Sequence, residues 1–395
     1  MYKLNCVEGG VCAAEGFFAD GIHIGLKKEG AKDLAFVYSD TPCAIASVFT
    51  TNKMTAAPIR HFRAKGEFEG NFVLINSKNA NAMTGRAGID DIDEVLAELQ
   101  SAFPRIQHPV MSSTGVIGVR LPKAKIIDGA KRFDLSRRDG VAASEAIMTT
   151  DTFAKRIAYE VVLENGASFR IGAMAKGAGM INPAMATMLC FITTDAAVDR
   201  ATMQSILDEC VQTTFNAASV DGDTSTNDTV LVLANGKSGV FHEGAFREAL
   251  EAMMLFLAKE MVRDGEGATK LVTYKVTGAV NNHEAEIAAK ALSNSLLVKT
   301  ALFGEDPNWG RIASTIGASG IMCDEAFLSI WFDDVCVYRK GELLFDDKTE
   351  PLAAAVMKKS AFTIHCDIGL QDGSFTAYGC DLGHEYVKIN ADYRT

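Results

Sequence analysis

Between Lys176 and Asp195 a glycine-rich turn changes abruptly into an apolar run, and that junction restricts the fold more than any other stretch of the chain. Lys176-Gly177-Ala178-Gly179-Met180-Ile181-Asn182-Pro183 leads through Ala184-Met185-Ala186 to Thr187. Met188-Leu189-Cys190-Phe191-Ile192 follows, closed by the polar Thr193-Thr194-Asp195. A short apolar run bounded by turn residues reads as a strand buried on both faces. Burying it takes a large core with elements on either side, and 395 residues suffice for one large domain or two ordinary ones. Thr187 stands where an adaptable loop enters a rigid strand, so its hydroxyl is fixed from one side and approachable from the other.

The rest of the chain mixes strands and helices without strict alternation. Asn71–Asn76 predicts a second buried strand, and 156–163 with 168–174 a hairpin about Asn165-Gly166. Apolar residues at helical spacing predict helices over 91–103, 199–218, 245–262 and 283–302. Further strands are expected at 229–233, 271–279, 327–333, 361–369 and 374–380. The fold class is therefore α+β, with layered sheets sandwiched by helices. A soft boundary near 275–282 divides a main catalytic domain, 1–275, from a smaller α/β domain, 276–395.

Several functions are excluded or disfavoured. A net charge of −11 argues against nucleic acid or an acidic membrane surface as partner. It is compatible with a cationic or zwitterionic small substrate, though solubility explains it more simply. Nine scattered cysteines without a CxxC pair fit reduced thiols in the cytoplasm rather than a disulfide framework or zinc site. No apolar run is long enough for a membrane span and no signal core is evident, so a cytoplasmic protein is expected. The chain lacks a GxSxG elbow, a Walker phosphate loop and HExxH. The acidic loop Asp221–Asp228 resembles a calcium loop only superficially, with Thr226 at the turn-glycine position and Val232 where a bidentate Glu is required. Neither a metal nor a tightly bound cofactor is expected.

Hydroxyl chemistry remains. A threonine needs a nearby base to act as nucleophile. At a chain start its own α-amine serves, with a pKa of about 7.7–8.0. Thr187 reaches a chain start only if the Ala186–Thr187 bond is cut. Its hydroxyl would attack the Ala186 carbonyl, and water would open the resulting ester. The residues by themselves leave an ordinary strand threonine as the simpler alternative.

A set of motifs in fixed order shifts that balance. Lys176–Met180 with Met185–Leu189, Ser113-Thr114-Gly115-Val116-Ile117-Gly118, Thr149-Thr150-Asp151-Thr152 and Ser225-Thr226-Asn227-Asp228-Thr229 are four of them. Gly265-Glu266-Gly267-Ala268-Thr269-Lys270, Asp306–Arg311 and the tail Ile389–Thr395 are the others. Together they resemble the glutamate N-acetyltransferase, or ornithine acetyltransferase, family from end to end. The resemblance implies self-cleavage between Ala186 and Thr187 into fragments that stay together as an α2β2 assembly. It implies a fold layered like that of N-terminal-nucleophile enzymes but connected differently, and acetyl transfer from N-acetylornithine to glutamate through acetyl-Thr187. Thr114 and Gly115 would form the oxyanion hole. Thr150, Lys176, Thr187, Glu266, Asn390 and Thr395 would contact substrate, and the tail would close the site. Acetyl-CoA is a candidate second donor. The sequence departs from the family pattern at Ala178 and Ala184, where Ser and Asn are common, which bears on the rate of self-cleavage.

Two other readings compete: a self-processing amidohydrolase or aminopeptidase using the same threonine, and an unprocessed binding protein for cationic amino acids. Denaturing electrophoresis separates the last from the first two. The active protein is expected to run as two fragments, 1–186 and 187–395, and Thr187→Ala as one full-length band.

Overall fold

The computed structural model describes residues 1–28, 30–182 and 188–392. Ala184, Ala186, Thr187 and Thr395 lie outside the described residues. The strands are, in chain order, β1 (Tyr2–Cys6), β2 (Phe17–Ile22), β3 (Leu34–Phe49), β4 (Gly70–Asn76), β5 (Val110–Ser113), β6 (Lys155–Leu163), β7 (Ser168–Lys176) and β8 (Leu189–Thr194). They continue with β9 (Ala218–Ser219), β10 (Thr229–Ala234), β11 (Leu271–Ala279), β12 (Ser329–Phe332), β13 (Val335–Arg339), β14 (Glu342–Leu343), β15 (Ala361–Asp367) and β16 (Gly373–Cys380). Contacts divide the described residues into two compact units. One draws on Met1–Gly177, Ala184–Thr214 and Thr224–Leu257, the other on Ala178–Pro183, Phe215–Asp223 and Ala258–Thr395.

In the first unit the strands run β1-β6-β7-β8-β10-β3-β4-β5, with β2 paired to β3. The long β3 serves two half-sheets. Its first part pairs with β2 and β4 and its last part with β10, and the register to β4 shifts between Tyr38 and Cys43. Pro42 lies inside that break and has no N–H to give to a ladder. Strand alternation then builds the layers. Phe17, Ala19, Val37, Val73 and Ile75 from one half share a core with Ile45, Met174, Leu189, Phe191, Leu231 and Leu233 from the other, so the halves face each other. Leu34, Phe36, Phe72 and Leu74 point the opposite way and pack with Ile92, Val95 and Leu99 of helix Gly85–Ala102 and Ile126 of helix Lys123–Ala130. On the far side Phe169 of β7 meets Phe246 of helix Glu243–Arg263, ring centroids 6.2 Å apart, and helix Arg200–Thr213 lies on β3. The order is helix, sheet, sheet, helix, as the sequence pattern predicts.

The second unit holds the sheet β14-β13-β12-β15-β11-β16-β9. One face, carrying Val272, Tyr274, Val276, Ile330, Phe332, Ile364 and Cys366, is buried with Ala285, Ala288, Leu292, Ile312, Ile316 and Val356 from its helices. The alternate residues Trp331 and His365 stack on the other face, centroids 4.8 Å apart.

Four expectations change, one being the helix expected over 199–218, which ends at Thr213 and gives way to β9 at Ala218. The helix expected over 91–103 begins at Gly85. The one expected over 283–302 is two helices, Asn282–Asn294 and Leu296–Phe303, because the Ser295 hydroxyl accepts from the Val298 amide and starts the second. The units divide between Leu257 and Ala258 rather than at 275–282. A break at 275–282 would cut β11, which is hydrogen-bonded to β15 on one side and β16 on the other. All nine cysteines are free. No helix of the described residues is long and apolar enough to cross a membrane.

Gly172 sits in β7 where a Cβ would lie 1.9 Å from the Gly10 carbonyl oxygen. Since that obstacle is backbone, Gly172→Ala is expected to destabilise the protein by about 1–3 kcal/mol, seen as a lower urea midpoint.

Candidate active site

Strand β8 begins two residues after Thr187, and its first residue aligns the neighbouring groups. Leu189 is in register with Lys176 on antiparallel β7 and with Thr229 on parallel β10. Lys176 is thus the last residue of its strand, placed beside the residues that follow Thr187.

The Lys176 side chain is buried, 3% exposed, and its Nζ lies 4.0 Å from Oδ2 of the fully buried Asp151. Oδ1 of Asp151 takes hydrogen bonds from Lys155 Nζ at 2.8 Å and from the Gly177 amide at 2.7 Å. Oδ2 takes one from the Thr149 amide at 2.9 Å, which pins the Thr149-Thr150 turn. Burial alone would push the Asp151 carboxyl up. The charges of Lys176 and Lys155 and these hydrogen bonds outweigh it and bring it down to about 2. One carboxylate therefore joins Lys176, Thr150's turn and the start of the glycine-rich segment. Lys27 belongs to the same charge group. Its ammonium is pushed down to about 8 by burial and by Lys176, with Asp33 and Asp151 opposing. No local sequence signal marks Lys27, because only tertiary contact brings it to Asp151.

Thr114 and Gly115 extend from β5. The Thr114 amide donates to the Asn76 carbonyl at 3.0 Å and Val116 to Lys78 at 3.1 Å. Gly115 has φ +133°, and a Cβ there would lie 2.2 Å from the Lys78 carbonyl carbon, so this turn requires glycine. The Ser225–Thr229 segment ties this loop to β8. Asn227 Nδ2 donates to the carbonyls of Ser113 at 2.8 Å and Ala80 at 2.7 Å. Next to it, Asp228 Oδ1 accepts the Met188 amide at 3.0 Å. The sequence marks this segment as distinctive without giving it a task. Its contacts show it bracing both the Ser113–Gly115 loop and Met188.

The second unit carries the remaining described candidates. Asn390, in helix His384–Ala391, donates to Glu266 Oε2 at 2.6 Å. The Glu266 amide donates to the Ala178 carbonyl at 2.8 Å, and a Cβ on Gly179 would meet the Glu266 carboxyl carbon at 2.5 Å. Gly179 is thus the space in which Glu266 sits. Tyr386, one helical turn before Asn390, donates to Asp221 Oδ2 at 3.2 Å, and Asp221 also accepts the amides of Met180 and Ile181. The Asp221 carboxylate thus accepts from two backbone amides and one phenol. Thr187, Ala186 and Thr395 lie outside the described residues.

Asp151 is depressed in the folded protein, so its contribution is complete above the unfolded pKa and disappears as pH falls through the folded one. It is expected to add about 2 kcal/mol at neutral pH, lost between about pH 4 and pH 2. Asp151→Asn, which removes the carboxylate charge facing the buried Lys155 and Lys176 ammonium groups, is expected to cost about 3–5 kcal/mol at neutral pH and to flatten that acid limb in urea titrations.

The family model described as the ArgJ family matches residues 18–395. The arginine biosynthesis bifunctional protein ArgJ of Wolinella succinogenes is 61% identical over 396 residues, covering all of both chains. Among solved structures, ArgJ of Bacillus halodurans is 40% identical, covering 51% of this chain and 97% of that one, with a TM-score of 0.49. The ornithine acetyltransferase of Mycobacterium tuberculosis, solved with ornithine, is 31% identical over 47% of this chain and 100% of that one, with a TM-score of 0.40. With a family match over nearly its whole length and a full-length relative at 61% identity, this chain belongs to the ArgJ family.

Proposed function

We propose that this protein is a self-processing acetyltransferase of arginine biosynthesis, moving acetyl from N-acetylornithine to glutamate. The observation that carries the reading is the full-length relationship to ArgJ, with the family's motifs in place. The braced geometry about β8 supports it. Thr187 attacks the Ala186 carbonyl, the Ala186–Thr187 C–N bond breaks, and water hydrolyses the ester. This leaves Thr187 with a free α-amine.

In transfer, that amine takes the hydroxyl proton as the oxygen attacks the acetyl carbonyl of N-acetylornithine. Thr114 and the Gly115 amide stabilise the tetrahedral oxyanion. One such donor is worth roughly 10²–10³ in rate. The ornithine amine leaves with a proton, and the α-amine of glutamate then attacks acetyl-Thr187 to give N-acetylglutamate. Ornithine and glutamate share an α-carbon framework but differ in side-chain charge. Lys176 and Glu266 supply one charge of each sign for such zwitterions, with Thr150, Asn390 and Thr395 as further contacts.

The name "bifunctional" borne by the Wolinella relative supports acetyl-CoA as a second donor here. No tightly bound cofactor is needed. An α2β2 assembly of the two fragments in the cytoplasm completes the reading.

Protein quenched after exposure to N-acetylornithine alone is expected to carry acetyl on Thr187, read by peptide mass spectrometry, and glutamate is expected to discharge it. Thr187→Ala is expected to abolish the adduct and the transfer. Lys176→Met is expected to lower kcat/KM by about 10²-fold. Acetate release that proceeds equally without glutamate would instead identify a hydrolase.

A further inference from the structure

Asp228 is a fully buried carboxyl that the scheme above leaves without a task. Its Oδ1 accepts the amide of Met188 at 3.0 Å, while its Oδ2 has no hydrogen-bond partner among the described residues. An unpaired buried oxygen of this kind costs roughly 1–3 kcal/mol, so a reason for carrying it is needed.

Holding the loop is not that reason. The backbone does so already: Asp228 O accepts the Thr50 amide at 3.0 Å and the Thr229 amide donates to Met188 O at 3.0 Å. Thr50 Oγ1 donates to the Ser225 carbonyl at 2.6 Å, and Asn227 is fixed by Ser113 and Ala80. The carboxyl group itself accepts a hydrogen bond from the Met188 nitrogen. That nitrogen belongs to the peptide group linking Thr187 to Met188, and a peptide group moves as one planar unit.

We propose that Asp228 is a positioning residue for both reactions of Thr187, acting through the hydrogen bond its Oδ1 accepts from the Met188 amide. This rests on the assignment of Thr187 as nucleophile. The charge balance favours the uncharged form. Burial pushes the Asp228 carboxyl well above the usual carboxylate range, and the Met188 amide, the nearby Thr50 and Ser225 hydroxyls and Lys176 only partly oppose it. An uncharged acid leaves Lys176 to Asp151 and to substrate. An ionised one would compete for it.

Three full-length variants test this. Asp228→Asn keeps an oxygen acceptor and no charge, whereas Asp228→Ala and Asp228→Ser remove the reach to Met188. Precursor cleavage is followed by electrophoresis during cell-free synthesis, and kcat and KM are measured on mature protein. Asp228→Asn is expected to stay within about threefold of the parent in both. Asp228→Ala is expected to slow cleavage and kcat by roughly 10- to 100-fold, with KM for N-acetylornithine unchanged. Asp228→Ser takes its place should Ala fail to fold, as judged by circular dichroism.

Parental rates in a folded Ala or Ser variant would overturn the proposal. So would a folded Asn variant as impaired as Ala, which would show that the negative charge is required. A loss confined to KM would equally remove it. Thr187→Ala, run alongside, keeps the two ideas apart. Transfer by that variant removes the nucleophile assignment, whereas an inert Thr187→Ala beside a fully active Asp228→Ala removes only the role of Asp228.

Discussion

The described part of the site in the first unit depends on one strand with no free surface. All six residues of β8 are buried, and β7 and β10 close both of its edges. Its alternate residues enter cores on opposite faces, with Leu189 and Phe191 on the side shared by the two half-sheets. Each fully buried Leu, Ile or Phe contributes about 1.5–3 kcal/mol, so β8 belongs to the part of the unit that is hardest to open. Lys176 and Thr229 inherit their places from it by register. Met188 therefore leads directly into a firmly held segment of its sheet.

Two buried carboxyls near that strand meet opposite fates for one physical reason. Asp151 faces two ammonium groups and two backbone amides, and these outweigh the cost of removing a charge from water. Asp228 has one amide on one oxygen and none on the other, and burial prevails. Number and proximity of donors decide the matter, since both carboxyls are buried. The first arrangement fixes an ionised anchor for Lys176. The second leaves a carboxyl that burial raises well above the usual carboxylate range, beside the amide of Met188.

Much of the fold was readable in the chain because the responsible forces are local. The β6–β7 hairpin follows from Asn165-Gly166, with Gly166 at φ +82°. Strand β11 occupies the predicted 271–279, and β8 follows from an uninterrupted apolar run. Element ends were less legible where a single cap decides them. Ser295 divides one periodic apolar stretch into two helices by one hydroxyl, and periodicity cannot register that. The unit division was hidden for another reason. Helix Glu243–Arg263 is continuous in pattern, and the division inside it appears only in contacts between residues far apart in sequence.

The sequence alone determined the chemistry available: a threonine preceded by small residues, a lysine at the end of a strand, a Ser-Thr-Gly turn and an ordered series of family motifs. Residue type and order suffice for those, since reactivity resides in the functional groups. Tertiary structure decided which groups act on which. Asp151 reaches Lys176 across 25 positions and Asp228 reaches Met188 across 40, while Asn227 ties in a loop 114 residues away. Electrostatic and hydrogen-bond energies depend on distance and burial, and neither quantity exists until the sheets have formed.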